Sequence, residues 1–166
     1  MNTLIRLYVK LIRYGTLVGP IVLLLLRLAW GWELAESGWN HLHDIDTMVA
    51  RFTKWGVPFP HVNVYISGTF ELVGGVLWML GFATRLISIP MFFNFCVAYA
   101  TASKGKIAAL FPHFITNIDD VIDDAAFPFL ITSLILLAFG PGLFSIDAIL
   151  KHTIFRNKTA APASDS

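Results

Sequence analysis

Charge is scarce in this chain and cysteine nearly absent. Asp, Glu, Lys and Arg make up 14% of the 166 residues, where a soluble domain carries about 25%, so they cannot furnish a water-facing surface of ordinary size. The twelve basic and eleven acidic residues almost cancel, leaving a net charge of +1. That excludes nucleic acid as a partner, because phosphate contacts need a dense basic surface. One cysteine, Cys96, cannot form an internal disulfide or a dithiol redox pair by itself. No Gly-rich phosphate loop, metalloprotease helix, paired-cysteine zinc pattern or serine nucleophile elbow occurs. The polar stretches are also too short for a folded soluble enzyme domain.

What the chain has instead is apolar length. Hydrophobic residues reach 56% against roughly 45–50% in ordinary domains, which predicts an all-α integral membrane protein. Four stretches are long enough, or nearly so, for the roughly 20 residues of a crossing: Leu17 to Ala35, Val62 to Ala83, Leu86 to Ala102 and Ala125 to Gly140. A chain of this size fits one domain, a four-helix bundle. The first stretch is read as a retained span rather than a signal peptide, since Arg27 interrupts it and no small-residue cleavage site follows.

Before the first span, Leu4, Leu7, Tyr8, Leu11 and Ile12 recur at helical spacing, with Arg6, Lys10 and Arg13 on another face. This pattern predicts an interfacial amphipathic helix over residues 1–14, lying on anionic lipid. The membrane domain then occupies 15–152, and 153–166 forms a disordered tail, rich in Ala, Ser and Thr from Asn157 onward. Lys and Arg outside the spans favour the N-terminus, the Arg85 turn and the tail, seven against four in the other two loops. The positive-inside rule therefore places both termini in the cytoplasm. The long loops Glu36 to His61 and Ser103 to Asp124 then face outward.

Two charged residues fall near the middle of apolar runs. Glu71 is near the middle of Val62 to Leu80, and Arg27 occupies a matching depth in Leu17 to Ala35. Such charges are costly in lipid unless they turn inward and find partners, so these two are expected to pair. Arg27, Gly31, Leu34 and Gly38 share one helical stripe, as do Gly68, Glu71, Gly75 and Trp78. Glycines beside each charge permit close approach of the two backbones. An ion pair that fixes helix register is one role for the two residues; direct chemistry is the other.

The succession of motifs along the chain resembles one family. Leu26-Arg-Leu-Ala-Trp-Gly31 with Ser37-Gly-Trp39, Gly56-Val-Pro-Phe-Pro60, Phe70-Glu-Leu-Val-Gly-Gly75, Leu80-Gly-Phe-Ala-Thr-Arg85, Phe127-Pro-Phe-Leu130 and Phe139-Gly-Pro-Gly142 together are similar to DoxX. The resemblance runs from about residue 20 to residue 150. It implies a small four-helix protein of a bacterial-type inner (plasma) membrane. The family takes its name from subunits associated with thiosulfate:quinone oxidoreductase, and other members are linked to oxidative stress, thiol handling and quinone detoxification beside soluble partners. On that basis the expected function is quinone-linked electron and proton transfer with a soluble redox partner. Glu71 and Arg27 are then the candidate catalytic residues. Arg27, Glu71, Asn94, Tyr99 and Trp78 are the candidate quinone-binding residues. One alternative is a non-catalytic membrane scaffold that recruits a redox or sulfur-handling enzyme.

A second alternative is metal or haem handling through the histidines of the outward loops: His41, His43, His61 and His113. Imidazole is a common ligand, but His41 and His43 diverge by about 200° on a helix and converge only on an extended segment. His41 continues the Arg27 stripe toward the outer mouth. Asp119, Asp120, Asp123 and Asp124 lack the ligand spacing of a calcium loop and read as a solvated surface. A transport pathway through four short helices requires a homo-oligomer or gaps in the bundle.

Overall fold

The computed structural model describes residues 3–102, 122 and 125–159. Six helices occur among them, and no strand: α1 Thr3–His43, α2 Ile45–Trp55, α3 Pro60–Leu80, α4 Thr84–Ala102, α5 Phe127–Phe139 and α6 Ile146–Thr159. Two are long and apolar enough to cross a membrane, α1 from Ile5 onward and α3. The 13 residues of α5 are apolar but shorter.

The first helix departs from expectation at both ends. The expected interfacial segment and first span are continuous in α1, one helix of 41 residues, about 60 Å long at 1.5 Å per residue. It passes through Pro20, whose nitrogen has no proton for the carbonyl four residues earlier. Just before it, the Thr16 hydroxyl donates back to the carbonyls of Ile12 and Arg13 at 3.1 and 2.8 Å. At the far end the helix continues to His43 because Gly38 is a packing residue, not a stop. A Cβ on Gly38 would lie 2.3 Å from the Leu72 nitrogen and 2.6 Å from the Gly68 carbonyl oxygen.

Two helices occupy segments expected to be loop or tail. In α2 the Asp44 side chain accepts from the Thr47 amide at 3.4 Å, a cap for an otherwise orphaned donor. At its other end Gly56 is left-handed, and the Val57 amide reaches the Phe52 carbonyl at 2.9 Å, the closure of a glycine-ended helix. The last helix, α6, starts at a Ser145 hydroxyl that accepts from the Ala148 amide at 3.1 Å. It runs through Thr159, into the segment expected to be a disordered tail, while residues 160–166 lie outside the described ones.

Packing follows the small-residue stripes. The C-terminal half of α1 lies antiparallel to α3, so that Gly31 faces Gly75 and Gly38 faces Gly68. With no Cβ between them the backbones meet directly. α3 in turn contacts α4, α4 contacts α5, and α5 returns to α1. Between them lie Leu34, Trp78, Met91, Phe95 and Leu136, with Phe129 stacked on Phe95 and edge-on to Trp30. The polarity is inverted relative to a soluble core. Arg27, Glu71, Thr84, Ser88, Thr132 and Ser133 are buried, while Leu86 and Phe139 are 72% and 71% exposed. Only a lipid solvent makes that distribution favourable.

Candidate functional site

Both predicted stripes face inward. Arg27, Gly31, Leu34 and Gly38 are buried on α1, and Gly68, Glu71, Gly75 and Trp78 on α3. The pairing expected of their charges does not form. Arg27 lies beside the Trp78 carbonyl and Gly81, whereas Glu71 lies beside Ser37 and His41. Because the helices are antiparallel, Arg27 is level with the C-terminal end of α3. Glu71 is seven residues before Trp78, about 10 Å along the axis. Depth matching fails because the part of α1 that packs on α3 begins near Arg27, not at Leu17.

Glu71 has a complete polar shell. The Ser67 hydroxyl, one turn earlier on α3, donates to Oε1 at 2.9 Å. The Ser37 hydroxyl, across the seam on α1, donates to Oε2 at 3.0 Å. One turn beyond Ser37, His41 Nδ1 lies 2.9 Å from Oε2. Its N–H direction is off that oxygen, leaving Nδ1 without an aligned hydrogen bond. The attraction is therefore one of charge when the imidazole is protonated, rather than of an aligned bond. Exposure falls from 18% at His41 to 7% at Glu71, so the imidazole stands between the carboxylate and the mouth. Phe52 of α2 packs edge-on to the His41 ring, centroids 6.0 Å apart. Two hydroxyl donors and a titratable imidazole give this carboxylate the means to exist charged at depth and to exchange a proton outward.

Arg27 is held differently. Its Nε donates to the Leu23 carbonyl at 3.4 Å, Nη1 to the Trp78 carbonyl at 3.5 Å and Nη2 to the Phe144 carbonyl. Asp147 is the acid close enough to act on it electrostatically. The same carboxylate accepts from the Ala83 and Thr84 amides at 2.8 and 3.0 Å. It thereby caps α4 and holds Ala83, which is left-handed at φ 49°, a conformation costing a non-glycine residue about 1–2 kcal/mol. Gly81, at φ 65°, leaves room for the guanidinium: a Cβ there would fall 2.0 Å from Nη1 and 2.5 Å from the Ser145 Cβ. Nearby, Arg85 donates to the Ala138 carbonyl at 3.2 Å, at the C-terminal end of α5, where a cation is favoured. These contacts tie the two interhelical turns to α1.

The candidate quinone-binding residues divide between these regions. The indole N–H of Trp78 is taken by the Ser88 hydroxyl at 3.1 Å, and the Arg27 donors go to backbone carbonyls. α3 and α4 are antiparallel, with Trp78 against Ser88 and Gly74 against Met91. That register brings Asn94 level with Glu71, and Tyr99 level with Ser67. Asn94 Nδ2 is buried and has no hydrogen-bond partner among the described residues. Glu71, Asn94 and Tyr99 thus fall within one band of the helix register. Arg27 and Trp78 do not belong to it.

The described candidate histidines do not gather. His41 turns to Glu71, the His43 ring lies 4.2 Å from that of Trp39, and His61 is exposed at the start of α3. Among the described residues, no group of three His, Cys, Asp or Glu side chains could hold a metal ion. His113, Asp119, Asp120, Asp123 and Asp124 lie outside the described residues. Sequence reasoning missed Ser37, Ser67, Asp147 and α2. Serines one helical turn from Glu71 and His41 were the available signal for the first two. For α2 it was Ile45, Met48, Val49 and Phe52 at helical spacing between Asp44 and Gly56.

Apolar side chains outside, charges and hydroxyls inside, and two spanning helices closed by glycine define an all-α membrane protein. The DoxX family model matches residues 22–104. That stretch contains α2, α3, α4 and the packed half of α1, and the chain belongs to the DoxX family, a family of membrane proteins. No curated protein and no solved structure matches the chain.

Proposed function

We propose that this chain is a four-helix inner-membrane subunit of a quinone-linked redox system, working with a soluble partner, in which Glu71 and His41 exchange the protons that accompany electron transfer. The observation that carries the reading is the 2.9 Å approach of His41 Nδ1 to a Glu71 carboxylate that two serine hydroxyls also hold. A quinone, when bound, supplies the electron-accepting ring, and its reduction takes up protons. Asn94 Nδ2 is a donor suited to a quinone carbonyl at the depth of Glu71. Ser37 and Ser67 fix the carboxylate so that its proton passes toward the imidazole and not into lipid. Arg27 has a structural part, because its donors already serve three backbone carbonyls.

Glu71→Gln tests this directly, since it keeps volume and hydrogen bonding while removing the titratable proton. In membranes containing the native partner, quinone-coupled turnover should fall about 10²-fold or more, the contribution of a positioned proton carrier, while folding is retained. His41→Gln should lower turnover as well, and by less, because water can reach the site in its place. Undiminished turnover in folded Glu71→Gln would exclude the proton role and leave the scaffold reading, in which the chain recruits a redox or sulfur-handling enzyme.

A further inference from the structure

Among the described residues, nothing packs against the N-terminal part of α1. Every residue from 5 to 18 is exposed, among them Leu7, Tyr8, Val9, Leu11, Tyr14 and Leu17. The packed end of the molecule reaches α1 only as far as Pro20 and Leu23, which lie under Gly142. A straight helix of 41 residues is about 60 Å long, twice the roughly 30 Å of a bilayer's hydrocarbon layer. Its C-terminal half is already committed to the seam with α3. The apolar N-terminal half therefore cannot stay in line with the span and remain in hydrocarbon.

We propose that α1 bends between Gly15 and Pro20 in the membrane, and that residues 5–14 lie flat on a leaflet as a docking surface for anionic lipid. The charges fit that occupant. Arg6, Lys10 and Arg13 fall within about 60° of one another around the helix, and the remaining arc is apolar. A helix in the interface buries such an arc and presents its basic strip to anionic headgroups. The bend has a local cause. Gly15 and Gly19 contact nothing that would hold them, Pro20 removes one backbone hydrogen bond, and the Thr16 hydroxyl draws on the carbonyls of Ile12 and Arg13, a contact that bends helices. A second copy of the chain could meet the Gly15 and Gly19 face, which lies opposite the charges. Such pairing covers only a narrow stripe and leaves most of the apolar arc in water, so the lipid surface is favoured.

The test uses the full chain with Cys96→Ala, carrying one nitroxide-labelled cysteine at a time from residue 5 to residue 14. The samples are vesicles of phosphatidylcholine alone or mixed equally with phosphatidylglycerol. Collision with oxygen and with a nickel chelate reports depth. In the mixed vesicles depth should oscillate with the helical period and show no net drift, with positions 8 and 11 deep and 6, 10 and 13 shallow. A steady change of about 1.5 Å per residue would mean a straight helix and overturn the bend. Neutralising Arg6, Lys10 and Arg13 to Gln should lower the docked-to-free ratio by roughly fivefold per residue in mixed vesicles. An unchanged ratio would overturn lipid recognition. Spin coupling between labels at Gly19 of two molecules would assign the face to a second copy instead. Gly15→Ala with Gly19→Ala, which meets no steric obstacle, should stiffen the segment and raise the free fraction.

Discussion

At the scale of single residues, Arg27 and Glu71 answer to different partners, and their energetics should be separable. Arg27→Met leaves the Phe144 carbonyl without the guanidinium donor, removes the second of two donors from the Trp78 carbonyl, and leaves Asp147 without its countercharge. The expected cost is about 3–5 kcal/mol, that of stranding one member of a buried charged group. Glu71→Gln strands nothing, because the amide oxygen accepts from one of the hydroxyls of Ser37 and Ser67 and the amide N–H donates to the oxygen of the other. Groups separated by about 10 Å without shared partners add within about 0.5 kcal/mol. A double-mutant cycle of Arg27→Met with Glu71→Gln, read by reversible unfolding in mixed detergent, should show that small coupling. The cycle of Arg27→Met with Asp147→Asn should exceed it. Equal couplings in the two cycles would contradict the separation of the sites.

At the scale of elements, the α1–α3 seam decides whether the Glu71 shell exists at all. Ser37 and His41 belong to one helix, Ser67 and Glu71 to the other, and Gly38 and Gly68 set the gap between them. A Cβ on Gly38 meets backbone atoms at 2.3 and 2.6 Å, which cannot rotate away. On Gly74 it meets the Met91 sulfur at 2.9 Å, a flexible thioether that can shift. Gly38→Ala should therefore cost about 1–3 kcal/mol, as overpacking does, and lower the melting temperature in detergent more than Gly74→Ala. The reverse order would mean that the seam is looser than its geometry. The stripes that build this seam were legible in the sequence, because small residues and charges recurred at helical spacing. The partnering was not, since the register of α1 on α3 depends on which half of a 41-residue helix is packed, and a hydropathy window finds the more apolar half. α2 was hidden for a related reason: its polar residues resembled a loop when composition was weighed before periodicity.

At the scale of the whole molecule, the two polar regions lie at different levels, and the positive-inside rule predicts which side of the membrane each faces. Arg85 and Lys151 lie toward the end where Arg27 and Asp147 tie the turns together, as do the basic residues before Gly15. His41, His43 and α2 lie at the other end. Positive charge is retained on the cytoplasmic side, so the Glu71 shell should open outward through His41, with Phe52 across its mouth. In a Cys96→Ala background, His43→Cys and Lys151→Cys are both at exposed positions. An impermeant maleimide added to intact cells should label the first and spare the second, and inverted vesicles should give the opposite result. That outcome fixes the side on which the His41 end of the bundle lies. Turnover in sealed vesicles should then respond to pH on the His43 side while pH on the other side is held constant. Labelling of His43→Cys only in inverted vesicles would reverse the orientation and move proton entry to the cytoplasm, leaving the His41–Glu71 geometry unchanged.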